Sequence, residues 1–297
     1  MNWNGPEPNL TVAAIACGMS GVMAAAWCWL GRRVRGLTLI APWAWTFVPL
    51  LAIPTCELVL SLKPTSPTVI GAWRYMAALT LLCPSMALLG AKRPQHRPWS
   101  FIVLAFWVVL ALPAMRAAIL PAGTFQLDYF RLVLVASLAL LGLANFLLIH
   151  PLVLVFFAVQ VFFLFLRVPE LEVDPRFLSN RLFLIAELSL CVCIGWVHMG
   201  VIRTVPIRHA TRRESLNQAW QDFRSLYGVI WSLRVADQLN VTAQRNDWQV
   251  QLLSDGFLAD ELTVELEIQL QRAFENILRR FVSPEWIAAR LFSGKQE

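Results

Sequence analysis

The stretch FRLVLVASLALLGLANFLLIHPLVLVFFAVQVFFLFL, Phe130 to Leu166, decides how this chain is read. It is almost wholly apolar, and it is too long for one helical crossing of a bilayer, which takes about 20 residues for a hydrocarbon core of about 30 Å. His150-Pro151 interrupts it near the middle. Proline lacks the N–H a helix interior needs and pushes the residue before it out of helical geometry. The stretch therefore reads as a hairpin of two helices, Phe130 to Ile149 and Leu152 to Leu166, with Arg167 snorkelling to extend the shorter arm. Five further apolar runs bounded by charge or proline surround it: Leu10 to Leu30, Leu37 to Leu62, Ile70 to Leu89, Trp99 to Leu120 and Leu182 to Ile202.

The basic residues support this count independently, because loops on the cytoplasmic side retain Lys and Arg. Arg32, Arg33 and Arg35 follow the first run, Lys92, Arg93 and Arg97 the third, and Arg203, Arg208, Arg212 and Arg213 the last. The loops between hold Lys63, then Asp128, then Glu170, Glu172 and Asp174 with Arg176. Seven crossings put every basic cluster on the cytoplasmic side, with the N-terminus outside and the C-terminus inside. Six would force one end to violate the rule. Composition agrees: 58% apolar residues, 15% charged residues and a mean hydropathy of +0.58 exclude an ordinary soluble fold. Residues 1–202 carry 13 Lys or Arg against 7 Asp or Glu, whereas 203–297 carry 12 of each. The +6 excess thus sets orientation and does not make a nucleic-acid surface.

The expected fold is all-α: a polytopic bundle of about seven transmembrane helices over residues 1–203 and a small cytoplasmic, mostly helical domain over 204–297. In that domain Leu216, Trp220, Phe223, Tyr227 and Ile230 recur at helical spacing, as do Leu262, Leu266, Leu270, Phe274, Ile277, Leu278 and Phe281. Val264, Leu266, Ile268 and Leu270 also alternate as a strand would. Asp255-Gly256 marks a turn, and Ser283-Pro284-Glu285 reads as the start of a last short helix.

Charged groups inside a bilayer cost at least about 2.5 to 3.5 kcal/mol each, so each one requires a reason. Glu57, Arg74, Arg116, Arg131 and Glu187 lie on five different runs, and the proposed orientation puts all five in the outer third of the membrane. Two readings are open for them. They lock the bundle as interhelical ion pairs, or they line an outward-facing cavity that holds an anionic group. Pro54 and Pro113 lie just inside Glu57 and Arg116 and can kink their helices.

Other chemistry is thinly represented. His96, His150, His198 and His209 fall near the cytoplasmic face; His150 with His198 is the pair to weigh as metal or haem ligands, against ordinary interfacial hydrogen bonding. The cysteines, Cys17, Cys28, Cys56, Cys83, Cys191 and Cys193, all sit in apolar runs and read as small hydrophobes. Cys56, beside Glu57, is the one candidate nucleophile. Asn145 and Gln160 would face each other across the hairpin. No Walker loop, dinucleotide fingerprint, HExxH or GxSxG elbow occurs.

The segment CPSMALLGAKRPQHRPWSFIVLAFWVVLALPA, Cys83 to Ala114, resembles a stretch in multi-pass bacterial membrane proteins of uncharacterised function of the kind found among planctomycetes, and the likeness extends to Trp220 to Trp231. The resemblance implies an inner-membrane location and no activity. The functional expectation is a non-enzymatic accessory, assembly or scaffold subunit without a cofactor. Its expected partners are membrane lipids and other membrane or cytoplasmic proteins. Ranked behind it are a small permease or lipid-handling protein using the outer charges, then a membrane thiol or metal enzyme.

Overall fold

The computed structural model describes residues 9–34, 37–63, 65–94, 98–120, 125–146, 211–259 and 263–291, and these are mostly helical. The first group of elements is α1 (Leu10–Val34), α2 (Ile40–Leu62), α3 (Pro67–Leu79), a 3₁₀ turn (Thr80–Leu82), α4 (Cys83–Leu89), α5 (Trp99–Ile119) and α6 (Tyr129–Phe146). After the undescribed residues come α7 (Arg212–Arg245), strands β1 (Val250–Leu252) and β2 (Phe257–Ala259), α8 (Val264–Leu278) and α9 (Pro284–Leu291). The expected crossings at 152–166 and 182–202 lie outside the described residues, as does the expected boundary at 203/204.

Three helical stretches are long and apolar enough to cross a membrane: Ile40–Leu62, Pro67–Leu89 and Trp99–Ile119. The apolar parts of α1 and α6, Leu10–Ala25 and Tyr129–Asn145, are shorter. Pro67–Leu89 is the centre of this group, with 83% of its most apolar stretch buried, against 33% for Ile40–Leu62 and 28% for Trp99–Ile119. The contrast is informative because α5 turns Phe101, Ile102, Leu104, Phe106, Val109 and Leu112 outward. Contiguous apolar surface of that extent is not stable against water and calls for an apolar solvent or a partner.

Small residues allow these helices to approach closely. Ala13, Ala16 and Ser20 form the buried face of α1 against α2, and Ala111, Ala114 and Ala117 form that of α5 against α3. The Ile70 to Leu89 run does not form one uniform helix. Pro84 has no N–H to give Thr80, so the chain tightens into the 3₁₀ turn there, and the Thr80 hydroxyl bonds the Ala77 carbonyl at 2.5 Å. Asn9 caps α1 by accepting from the N–H groups of Thr11 and Val12.

The C-terminal unit has its own aromatic core. α7 opens with a full capping box between Thr211 and Glu214, and its Trp220, Phe223 and Tyr227 are buried with Trp231, Val235, Leu239 and Ala243. Phe223 stacks on Tyr227 at 4.5 Å, and Phe281 meets Phe223, Tyr227 and Trp231 edge-on at 5.3, 5.5 and 5.1 Å. Ile230, expected on this face, is only half-buried. The 264–270 alternation resolves as helix, since Thr263 caps α8 and Glu265 and Glu267 occupy its first turn. α9 follows from Pro284, and its Arg290 donates to the buried Asp222 carboxylate at 2.7 Å.

Within this otherwise helical fold β1 and β2 form a small antiparallel hairpin, pairing Val250 with Ala259 and Leu252 with Phe257. Its turn uses Gly256 at φ +141°, open only to glycine, and Asn217 on α7 holds it by accepting the Phe257 N–H at 2.8 Å. Asn217→Ala is expected to cost about 1 to 3 kcal/mol, because it leaves that N–H without its acceptor. Chemical denaturation of the purified protein measures it.

Candidate functional site

The structure places four of the five expected charges, Glu57, Arg74, Arg116 and Arg131. Glu57 on α2 and Arg74 on α3 meet in a two-pronged ion pair, with Nε to Oε1 at 2.7 Å and Nη2 to Oε2 at 2.6 Å. Their side chains are 9% and 3% exposed. Two parallel charge-assisted bonds are the strongest way these groups can satisfy each other without water. Arg131 instead bonds its chain neighbour Asp128, which also caps the start of α6 by accepting the Arg131 N–H at 2.8 Å. Arg116 is exposed on α5, and Glu187 lies outside the described residues. The Glu57 carboxylate that would serve Cys56 as a base is taken by Arg74. Cys17 and Cys56 are half-buried, Cys28 exposed and Cys83 buried. Cys191, Cys193 and all four histidines lie outside the described residues, among which no group of three or more His, Cys, Asp or Glu could hold a metal ion.

A second polar assembly, at the opposite ends of the same helices, joins the two groups of elements. Thr38, just before α2, donates its N–H to the Phe281 carbonyl at 2.9 Å. The Tyr227 hydroxyl donates to that carbonyl at 2.7 Å, so both lone pairs of one buried oxygen are used. The Thr38 hydroxyl donates to the Ala91 carbonyl at 2.7 Å and lies 3.0 Å from the Tyr227 oxygen. Trp231 gives its indole N–H to the Leu88 carbonyl at 2.8 Å, satisfying an acceptor in the last turn of α4. Leu37, Leu39, Leu88 and Ala91 share one apolar cluster with the C-terminal aromatic residues.

The third fastening lies at Gly228, where α7 is broken by a backbone at φ 78°, ψ −176°. That conformation is essentially restricted to glycine. Asn145, buried near the end of α6, enters the break: its Oδ1 accepts the Ile230 N–H at 2.9 Å, and its Nδ2 lies 3.5 Å from the Tyr227 carbonyl. One side-chain amide therefore replaces helix hydrogen bonds that the break forfeits. Gln160, the partner expected for Asn145 across the hairpin, lies outside the described residues.

Burial pushes the Tyr227 hydroxyl well above its ordinary value of 10.0, and the Thr38 contacts and the Arg93 charge only partly offset this. An acid whose pKa is raised by folding contributes stability that is complete below the unfolded value. That stability falls as pH rises from there toward the folded value. The protein is therefore expected to lose stability from about pH 10 upward. Tyr227→Phe should flatten that part of the melting profile while costing about 0.5 to 1.5 kcal/mol at neutral pH through the lost hydrogen bond, since the Phe281 carbonyl keeps the Thr38 N–H. Thermal melting against pH measures both.

Comparison of the chain with protein-family models, with curated proteins and with solved structures finds no match.

Proposed function

We propose that this chain is a non-enzymatic, multi-pass inner-membrane protein of the accessory, assembly or scaffold type. In this reading seven helices cross the bilayer, the N-terminus is outside, and the C-terminal helical domain is presented in the cytoplasm as a docking platform. The membrane part of the reading is supported by the outward-turned apolar side chains of α5. The observation that carries the scaffold part is the threefold fastening of the C-terminal unit to one end of the apolar helices, through Phe281, Leu88 and Gly228. A domain held at fixed orientation to the membrane suits the positioning of a partner, whereas a loosely tethered one would not. The Glu57 to Arg74 pair supports a lock in preference to a ligand cavity, since the two buried charges meet each other through two parallel bonds.

Gentle extraction of native membranes into polymer nanodiscs tests this reading. The wild-type chain should elute with a protein partner in fixed proportion, and Asn145→Ala should remain in the membrane but lose most of that partner. Elution of the wild-type chain alone would contradict the proposal.

A further inference from the structure

The fold brings two basic segments together that are far apart in sequence. Lys92 and Arg93 follow α4, and Arg279 and Arg280 follow α8. The Arg93 N–H donates to the Arg280 carbonyl at 2.8 Å, so the four residues flank a single backbone contact. Arg93, Arg279 and Arg280 are exposed and Lys92 half-buried. The next residue, Phe281, is the one whose carbonyl accepts from Thr38 and Tyr227, which fixes both segments in place.

The level of this seam is set by the helices beside it. α2 begins at Ile40, α4 ends at Leu89 and α5 begins at Trp99, so three stretches long enough to span a bilayer terminate here. Trp99 and Trp43 stand at the same ends, and the Trp99 indole donates to the Met86 carbonyl at 2.7 Å. Indole rings at helix ends favour the headgroup region. Among the described residues, Glu285 is an acid close enough to the seam to feel Arg93. Its carboxyl is held below the usual range by the Ser283 hydroxyl first, then by its own backbone, with Arg93 adding a smaller attraction.

We infer that Lys92, Arg93, Arg279 and Arg280 form a seat for the phosphodiester of an anionic phospholipid in the leaflet on the side of the C-terminal domain. The inference rests on the membrane reading above and adds a ligand class and residues to it. Arginine suits the role because its planar donors match two phosphate oxygens at once. A lipid seated there touches both the α4–α5 loop and the end of α8, so it also strengthens the attachment of the domain.

The test uses the full chain in a neutral detergent, after an alkaline carbonate wash of the source membranes. Phosphatidylglycerol, phosphatidylcholine and inorganic phosphate are titrated separately while the melting midpoint is followed. The wild-type chain should be stabilised by phosphatidylglycerol and by neither of the others. Arg279→Gln with Arg280→Gln should weaken that response about tenfold or more in lipid concentration, from about 1 kcal/mol per basic residue near an anionic surface. The control pair Arg245→Gln with Arg272→Gln should respond like wild type. Equal responses to both lipids, an equal response to inorganic phosphate, or an unchanged Arg279/Arg280 variant would overturn the seat while leaving the membrane reading intact. Release of the chain by carbonate would overturn both. The melting midpoint without lipid shows whether the variants are folded.

Discussion

Gly228→Ala is expected to detach the C-terminal domain from α6. A Cβ at this position would lie 2.2 Å from Nδ2 and 2.6 Å from Cγ of Asn145, so the amide must leave the break it fills. Backbone strain at φ 78° adds about 1 to 3 kcal/mol, and overpacking with the lost hydrogen bonds adds a similar amount. A total cost of about 2 to 6 kcal/mol follows from these ranges. The domain should melt earlier and become protease-sensitive around residues 226–230. Asn145→Ala in the same chain removes the clash but keeps the strain. The double variant should therefore recover part of the loss, and the two substitutions should be strongly non-additive. A Gly228→Ala protein that melts like wild type would show that the break is not held by Asn145.

Glu57→Gln is expected to be nearly as damaging, because it takes from the buried Arg74 guanidinium the carboxylate that meets it on two prongs. Breaking one partner of such a pair costs about 3 to 5 kcal/mol, whereas replacing both by apolar residues of similar volume is often neutral or stabilising. Glu57→Leu with Arg74→Met should accordingly fold well where Glu57→Gln does not. Yield and melting in detergent distinguish the cases. If Glu57→Gln remains as stable as wild type, the pair does not act as a lock.

The parts of this fold that were legible in the sequence are those governed by local pattern. Apolar length with flanking charge marks α2, Pro67–Leu89 and α5. The stripe from Leu216 to Tyr227 marks α7 and that from Leu262 to Phe281 marks α8, while the competing alternation at 264–270 is settled only by the Thr263 cap in the structure. β1 and β2 are three residues each, too short for an alternation to stand out, so only the Asp255-Gly256 turn between them could be read. Gly228 was hidden for a related reason: an isolated glycine in a helical stripe is tolerated, and nothing local reveals a positive φ. Its partner Asn145 lies more than 80 residues earlier on another helix.

For the charges, the expectation of interhelical ion pairs allows Glu57 and Arg74 to meet, and the structure pairs them. It gives no preference between a distant partner and a near one, and Arg131 takes Asp128 at i−3. That spacing was readable from the sequence and would have separated Arg131 from the cluster. The Thr38, Tyr227 and Phe281 assembly left no signal at all, since each is an ordinary residue until the fold brings the three to one carbonyl.

Substituted-cysteine labelling in intact cells asks whether the C-terminal domain is fastened, as proposed, to the cytoplasmic ends of membrane-crossing helices. In a cysteine-free background, Ser66→Cys lies between α2 and α3 at the end away from the domain, and Gln238→Cys is exposed on α7. An impermeant maleimide should label position 66 in intact cells and position 238 only after the membrane is opened. Labelling of both positions from outside, or of position 238 alone, would contradict the account.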